Sequence, residues 1–311
     1  MGEERYSDEP PGVSGACGEY GVSEVSGGYR ERASRLAGAV LWTRTAPPAA
    51  RPVLPDGCMD LIWSEGGRLL VAGPDTGPQF PGGVVPGAVP HGIEGPHRLE
   101  SPHRLKSPHG LEGTGGTLFV GLRFAPGQGP VVFGVPAHEL RNRRVPLADL
   151  WPAGRVRELA GRLAAARETG DGGGAGGVGG IGGIGIGGVG GVGRVLEETA
   201  GARLQDVDAT TARGRTAAVA AALARGRPVA EVARSVALSE RQLYRLSLDA
   251  FGYGPKTLTR VLRFVRALDL ARSGMPRAQV AACAGYADQA HLAREVKVLA
   301  GAPMGVLLAP G

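Results

Sequence analysis

A seven-residue pattern recurs in this chain at an offset of 49 positions: Ser239-Glu240-Arg241-Gln242-Leu243-Tyr244-Arg245, and then Asp288-Gln289-Ala290-His291-Leu292-Ala293-Arg294. Each copy opens on Ser or Asp, residues that accept hydrogen bonds from the first free N–H groups of a helix. Three residues later stands Gln242 or His291, and Ser239 with Gln242 has the form of a capping box. Leu243 and Leu292 are the apolar anchors of the helices so begun, and Arg245 and Arg294 follow each by two. A short helical stretch and a tight turn precede each start: residues 229–236 then Ala237-Leu238, and residues 278–284 then Gly285-Tyr286-Ala287. Helix, brief turn and capped helix make a helix-turn-helix. Two such units are expected, separated by the helical run of residues 255–273.

The spacing divides the surfaces of these helices. Residues 216–225 are an alanine-rich helix stopped by Gly226, and Pro228 opens the next at a position where its missing N–H does no harm. Val229, Val232, Ala233 and Val236 form an apolar face there, met by Leu238, Leu243 and Leu246. That leaves Glu240, Arg241, Gln242 and Arg245 towards solvent or a ligand. In the second unit Gln289, Ala290, His291 and Arg294 hold the same places; His291 either contacts the ligand as donor or acceptor or completes its own cap. Arg suits guanine O6 and N7, and Gln suits adenine N6 and N7, in a DNA major groove. Along residues 255–273, Leu258, Val261, Leu262, Val265 and Leu268 make a core side. Arg260, Arg263 and Arg266 fall elsewhere and Lys256 lies near the start. With Ser239 and Asp288 these are candidates for phosphate contact, the alternative being a solvated helix face.

Charge is distributed accordingly. Residues 213–297 contain 15 Lys and Arg against 6 Asp and Glu, a balance of +9, which leaves −3 for the rest of a chain whose total is +6. Positive charge sits where a phosphate backbone would need it.

Residues 213–308 resemble the tandem helix-turn-helix domain of AraC/XylS-type transcriptional regulators. The resemblance includes Phe251-Gly252-Tyr253-Gly254-Pro255-Lys256 after the first recognition helix and Gly285-Tyr286-Ala287-Asp288-Gln289-Ala290-His291-Leu292 opening the second. Ser247 stands where that family usually has an aromatic residue, and Gly301-Ala302-Pro303 is one residue tighter than the usual closing motif. The resemblance implies two heads in successive major grooves of double-stranded DNA, with RNA polymerase and a second copy of the chain as further partners.

Ahead of this domain the chain reads differently. Residues 1–35 are polar and glycine-rich and are expected to be disordered. From Ala39, residues 40–43, 59–63, 69–72 and 117–124 are short β-type runs divided by Gly, Pro and Asp. Segments 55–63, 71–76 and 121–127 resemble the N-terminal domain found in one branch of the same regulators, which implies effector sensing or dimerisation. Asp56, Asp60 and Arg123 are its candidate effector-binding residues, the alternative being an Asp56-Gly57 turn with Asp60 and Arg123 as solvated strand positions. Residues 136–140 and 147–167 return to helical spacing through Leu147, Leu150, Val156, Leu159 and Leu163, as helices that cap the sensor or form its dimer contact.

Two low-complexity stretches interrupt the chain. Residues 90–113 are four hexads with His91, His97, His103 and His109 at a period of six. Proline in every hexad rules out a continuous helix. Four imidazoles on a mobile loop could chelate Zn, Ni or Cu, but the residues between follow no ligand logic, and no metal is assigned. Residues 172–193 hold 15 glycines and no charge; this is too polar in backbone and too poor in apolar side chains to cross a membrane and is expected to be a flexible tether.

The expected architecture is α+β in two domains: a disordered N-terminus (1–35), a β-rich sensor with flanking helices (36–168) carrying the histidine insertion (90–113), a glycine-rich linker (169–193), a connecting helix (194–212), and an all-α domain of two helix-turn-helix units joined by a helix (213–308). The expected function is sequence-specific, effector-responsive transcriptional regulation, cytoplasmic, without cofactor or catalytic residue. Cys17, Cys58 and Cys283 make neither an even disulfide set nor a Cys-x-x-Cys motif. Two alternatives stay open: a DNA-targeted alkyl-transfer or repair enzyme using Cys58, and a metal-responsive regulator using the hexad histidines.

Overall fold

The computed structural model describes residues 23–25, 28–45, 52–79, 117–171, 187–205 and 207–309. Among the described residues seven strands form one antiparallel sheet: β1 (Ser23–Val25), β2 (Tyr29–Ala33), β3 (Val40–Thr45), β4 (Met59–Ser64), β5 (Leu69–Ala72), β6 (Leu118–Phe124) and β7 (Arg144–Pro146), in the order β1-β2-β3-β6-β4-β5-β7. Strand β6 enters between β3 and β4, pairing Trp42 with Gly121 and Asp60 with Arg123. Because side chains alternate across a strand, Leu61, Val120 and Leu122 turn to one face, where the main core lies. Trp42, Ile62 and Phe119 turn to the other, where a smaller apolar cluster joins a polar one.

The main core is closed by a short α1 (Gly129–Phe133) and by two long helices, α2 (Ala153–Asp171) and α3 (Gly187–Leu204). Leu159 and Leu163 of α2, and Val192, Leu196 and Ala200 of α3, are buried against the sheet. The expectation that helices cap the β-rich unit holds in this form, with residues 137–140 and 147–149 as 3-10 turns.

Three expectations are corrected. Residues 29–33 are not disordered: they form β2, paired along its length with β3. Its charges find partners, for Arg32 reaches the buried Glu197 of α3 at 3.1 Å and Tyr29 stacks on Trp42 with ring centroids 6.2 Å apart. Residues 187–193 are not tether: they are the first turns of α3. Glycine is needed there, since a Cβ at Gly193 would lie 2.4 Å from Leu41 and one at Gly191 2.6 Å from the Ala166 carbonyl oxygen. Residues 194–212 are not one connecting helix either. Residues 194–204 belong to α3 inside the sheet's core, and residues 207–212 open α4 (Val207–Ala224). The hexads, residues 1–22 and residues 172–186 lie outside the described residues.

The all-α part runs from α4 through α5 (Val229–Ser235), α6 (Glu240–Phe251), α7 (Pro255–Arg272), α8 (Arg277–Ala284), α9 (Gln289–Ala300) and α10 (Met304–Leu307). It has two cores. Leu258, Val261 and Leu262 of α7 join the first, with α4, α5 and α6; Phe264, Ala267 and Leu268 join the second, with α8, α9 and α10.

Glu197 ties β2 to α3. Burial alone would push its carboxyl up, but hydrogen bonds from Arg32, the Arg35 N–H and Ser34 outweigh this and hold it below the usual range. A depressed carboxylate stabilises the fold above its unfolded pKa and loses that contribution as pH falls through the folded value. Glu197→Gln is therefore expected to cost about 1 to 2 kcal/mol in urea unfolding at pH 7. The deficit should shrink below the ordinary glutamate pKa of 4.5, and a deficit independent of pH would assign it to packing instead.

Candidate nucleic-acid interface

Each helix-turn-helix is built from its caps. Ser239, extended at φ −70° and ψ 159°, accepts from the Gln242 N–H at 3.2 Å, while Gln242 Oε1 accepts from the Ser239 N–H at 2.9 Å. Asp288 does the same for the second unit, accepting from the His291 N–H at 2.6 Å. His291 turns its Nδ1 to accept from the Ala287 N–H at 3.3 Å and packs edge-on against Tyr286. In the tautomer that accepts there, the other ring nitrogen, Nε2, is the donor. Both helices end on a left-handed glycine, Gly252 at φ 82° and Gly301 at φ 70°, again 49 positions apart.

Burial separates the faces. Leu243 and Leu292 are fully inside, as are Ser247 and Val296 one turn on. Ser247 holds the place of the family's usual aromatic, and its hydroxyl has no hydrogen-bond partner among the described residues. Glu240, Arg241, Gln242 and Arg245 are exposed on α6, and Gln289, Ala290 and Arg294 on α9, with His291 half-buried. Gln242's carbonyl oxygen is occupied by the cap, so only its amide N–H groups remain for a ligand. Asp288, offered for phosphate contact, is a cap acceptor of the wrong charge for that role.

The cations of α7 divide in two. Lys256 and Arg266 are exposed. Arg260 is paired with Glu295 of α9 at 2.5 and 3.1 Å, and Arg263 lies over the Tyr286 ring at 5.5 Å. Both brace the second unit against α7. One outward residue escaped the sequence reading: Tyr244, 52% exposed on α6, with its ring against Gly254, where a Cβ would come within 2.5 Å of it. The signal was present, since position 244 shares a helical face with Glu240 and Arg241.

On the far face of the sheet from α2 and α3, the other sequence candidates meet. Arg123 Nε lies 3.3 Å from Asp56 and 3.2 Å from Asp60, and Asp60 also accepts from the Trp42 indole N–H at 2.7 Å. The expectation of Asp60 and Arg123 as solvated strand positions is corrected, for Asp60 is 9% exposed. Gly121 makes this possible, because any Cβ there would lie 2.1 Å from the indole that covers the pair. Burial pushes the Asp60 carboxyl up against the pull of Arg123, and the two carboxylates, outweighing burial, hold the guanidinium well above its ordinary value. The Asp56-Gly57 turn is present as read: Asp56 Oδ1 accepts from the Cys58 N–H at 2.9 Å and Gly57 has φ 80°. Arg144 and Asp75 form a second pair beside it, at 2.9 and 2.5 Å, which the sequence reading missed. Cys58 is 5% exposed with its Sγ 3.8 Å from the Asp56 carbonyl oxygen, a buried setting that shields a thiol from attack. Among the described residues no group of three or more His, Cys, Asp or Glu is placed to hold a metal, and no helix is long and apolar enough to cross a membrane.

Replacing Ser239 by Ala removes one half of the first cap and should cost about 1 kcal/mol of stability, read as a shift of the urea midpoint at constant slope. Ser239→Asp, which can accept the same bond, should restore it.

Comparison with known proteins places this geometry. Residues 232–309 match the family described as a helix-turn-helix domain, a span that begins within α5 and includes α10. No curated protein matches at a significant level. Among solved structures, the chain aligns with ToxT from Vibrio cholerae O395 at 8% identity and a TM-score of 0.40, over 87% of this chain and 97% of that one. It aligns with an apo ToxT variant from Vibrio cholerae strain SCE256 at 8% identity and a TM-score of 0.38, over 88% and 97%. The matched span holds both capped helices, so that residues 232–309 are an AraC-type helix-turn-helix domain, of the kind that DNA-binding transcriptional regulators carry.

Proposed function

We propose that this chain is an effector-responsive, sequence-specific regulator that lays α6 and α9 into successive major grooves on one face of double-stranded DNA. The observation that carries this reading is the duplication of one geometry. Two helices of 12 residues, with equivalent caps at both ends, present equivalent exposed positions and are joined by one helix that enters both of their cores. Helix α7 has 18 residues, so it spans about 27 Å. That is of the order of the roughly 34 Å between successive grooves on one face. Arg241, Arg245 and Tyr244 would read bases from the first head, and Gln289, His291 and Arg294 from the second. Lys256 and Arg266 would contact phosphates.

The sheet domain supplies control. Asp56, Asp60 and Arg123 form a charged group on the sheet with Asp60 buried at its centre, and the Asp56-Gly57 turn touches the DNA-binding domain, with a Cβ at Gly57 lying 3.6 Å from Leu258 and 3.8 Å from the Tyr253 hydroxyl. A small molecule that competed for the Arg123 guanidinium would move that turn and so change affinity for DNA. Promoter occupancy, by contact with RNA polymerase or through a second copy of the chain, would be the output.

Selection from random duplexes with the full chain, followed by footprinting, tests this. Two protected patches one helical turn apart are expected, and a single patch would leave one head structural. Arg245→Ala and Arg294→Ala should each weaken the selected site by about 1 to 3 kcal/mol, with little change on unrelated DNA. A uniform loss on all sequences, with a shallower salt dependence, would mark the residue as a phosphate contact.

A further inference from the structure

A five-residue stretch of the sheet domain, Pro74-Asp75-Thr76-Gly77-Pro78, touches both DNA-binding units at equivalent points. A Cβ at Gly252, the glycine closing α6, would lie 2.5 Å from Pro74 Cγ, and one at Gly301, the glycine closing α9, would lie 3.2 Å from Pro78 Cγ. These glycines are the same position of the 49-residue repeat. Four residues apart, the two prolines are separated by at most about 14 Å of extended chain.

The stretch is itself held down. Gly73 passes so close to Leu140 that a Cβ would overlap its carbonyl oxygen at 1.7 Å. Pro74's carbonyl oxygen accepts from the Asn142 N–H at 3.0 Å, Asp75 is paired with Arg144, and the Thr76 N–H donates to Asn142 Oδ1 at 2.8 Å. Gln79 exchanges two backbone hydrogen bonds with Val53, at 2.8 and 2.9 Å, and the adjacent Leu54 packs on the second core.

We propose that residues 74–78 are a strap that fixes the distance between the back ends of the two recognition helices, and so sets the spacing of the half-sites that the protein reads. Helix α7 joins the two heads along one line, and a single connector leaves bending and twisting about that line as soft motions. A second connector that touches both heads resists them. The strap seats on the C-terminal ends of α6 and α9, opposite the capped N-terminal ends whose side chains face outwards. It is therefore compatible with DNA binding and holds the heads in place without covering them. Anchorage through Asp75 and Arg144 brings its far side under the charges of Asp56 and Asp60, which act on both.

This inference rests on the two-head reading and is tested so that the two can fail separately. The full chain is titrated against duplexes carrying the two selected half-sites at separations stepped by single base pairs, and against a duplex with one half-site. The unmodified protein is expected to prefer one separation over its neighbours by about tenfold. Pro78→Asp, and separately an insertion of Gly-Gly after Gly77, should flatten that preference to about twofold while single half-site affinity is kept. Variants that retain the sharp profile overturn the strap and leave α7 as the sole spacer. A flat profile in the unmodified protein overturns the two-head reading and the strap with it. Amide exchange without DNA gives a second readout: both variants should exchange faster than the unmodified chain in α10 and at the end of α9, and unchanged protection there also overturns the strap. Should Pro78→Asp fail to fold, the insertion, which touches no core residue, decides the matter.

Discussion

The DNA-binding half of this protein depends on one helix being shared by two hydrophobic cores. Leu258, Val261 and Leu262 of α7 are committed to the first head, and Phe264, Ala267 and Leu268 to the second. Each set is held firmly in its own head, since buried side chains pack at a density that tolerates little displacement. Arg260 with Glu295 and Arg263 over Tyr286 add polar braces at the second junction. Cations of the connecting helix that might have faced phosphates are thereby spent on rigidity, and net charge alone overstates how many remain for DNA.

The N-terminal half follows a different plan, in which ion pairs built on a buried carboxylate, Glu197, Asp60 or Asp75, join segments far apart in sequence. Arg32 meets Glu197, Arg123 meets Asp56 and Asp60, and Arg144 meets Asp75. Breaking one such pair leaves an uncompensated charge, which is far costlier than the pair itself is stabilising. These contacts therefore fix register and loop position more than they add stability. They also concentrate the domain's electrostatic response near the segments that touch the recognition helices.

Much of this was legible in sequence. Alternating apolar residues bounded by turn signals located β3 to β6, and the caps Ser239 and Asp288 located the two recognition helices. What escaped is non-local. Strand β2 is polar in composition, and its Arg32 is satisfied by a helix 165 positions away. Helix α3 begins in glycine because Leu41 and Ala166 approach its backbone, and glycine in isolation signals flexibility. Asp60 looked solvated because no local pattern shows that Gly121 lets an indole close over it. Tyr244 was passed over because apolar side chains on a helix are ordinarily taken for core, and the pairing of Arg260 could not be seen without the fold that brings Glu295 to it.

Trp42 has an optical consequence. Its indole ring lies on the bare backbone of Gly121, stacks on Tyr29, and gives its N–H to Asp60, whose other close partner is Arg123. The emission of an indole shifts with the field of nearby charges and with the polarity around its N–H. The protein thus carries an intrinsic fluorophore wired to the charged group on its sheet, and any solute that draws Arg123 away from Asp60 would announce itself as a change in the colour of tryptophan light, without a label and without DNA.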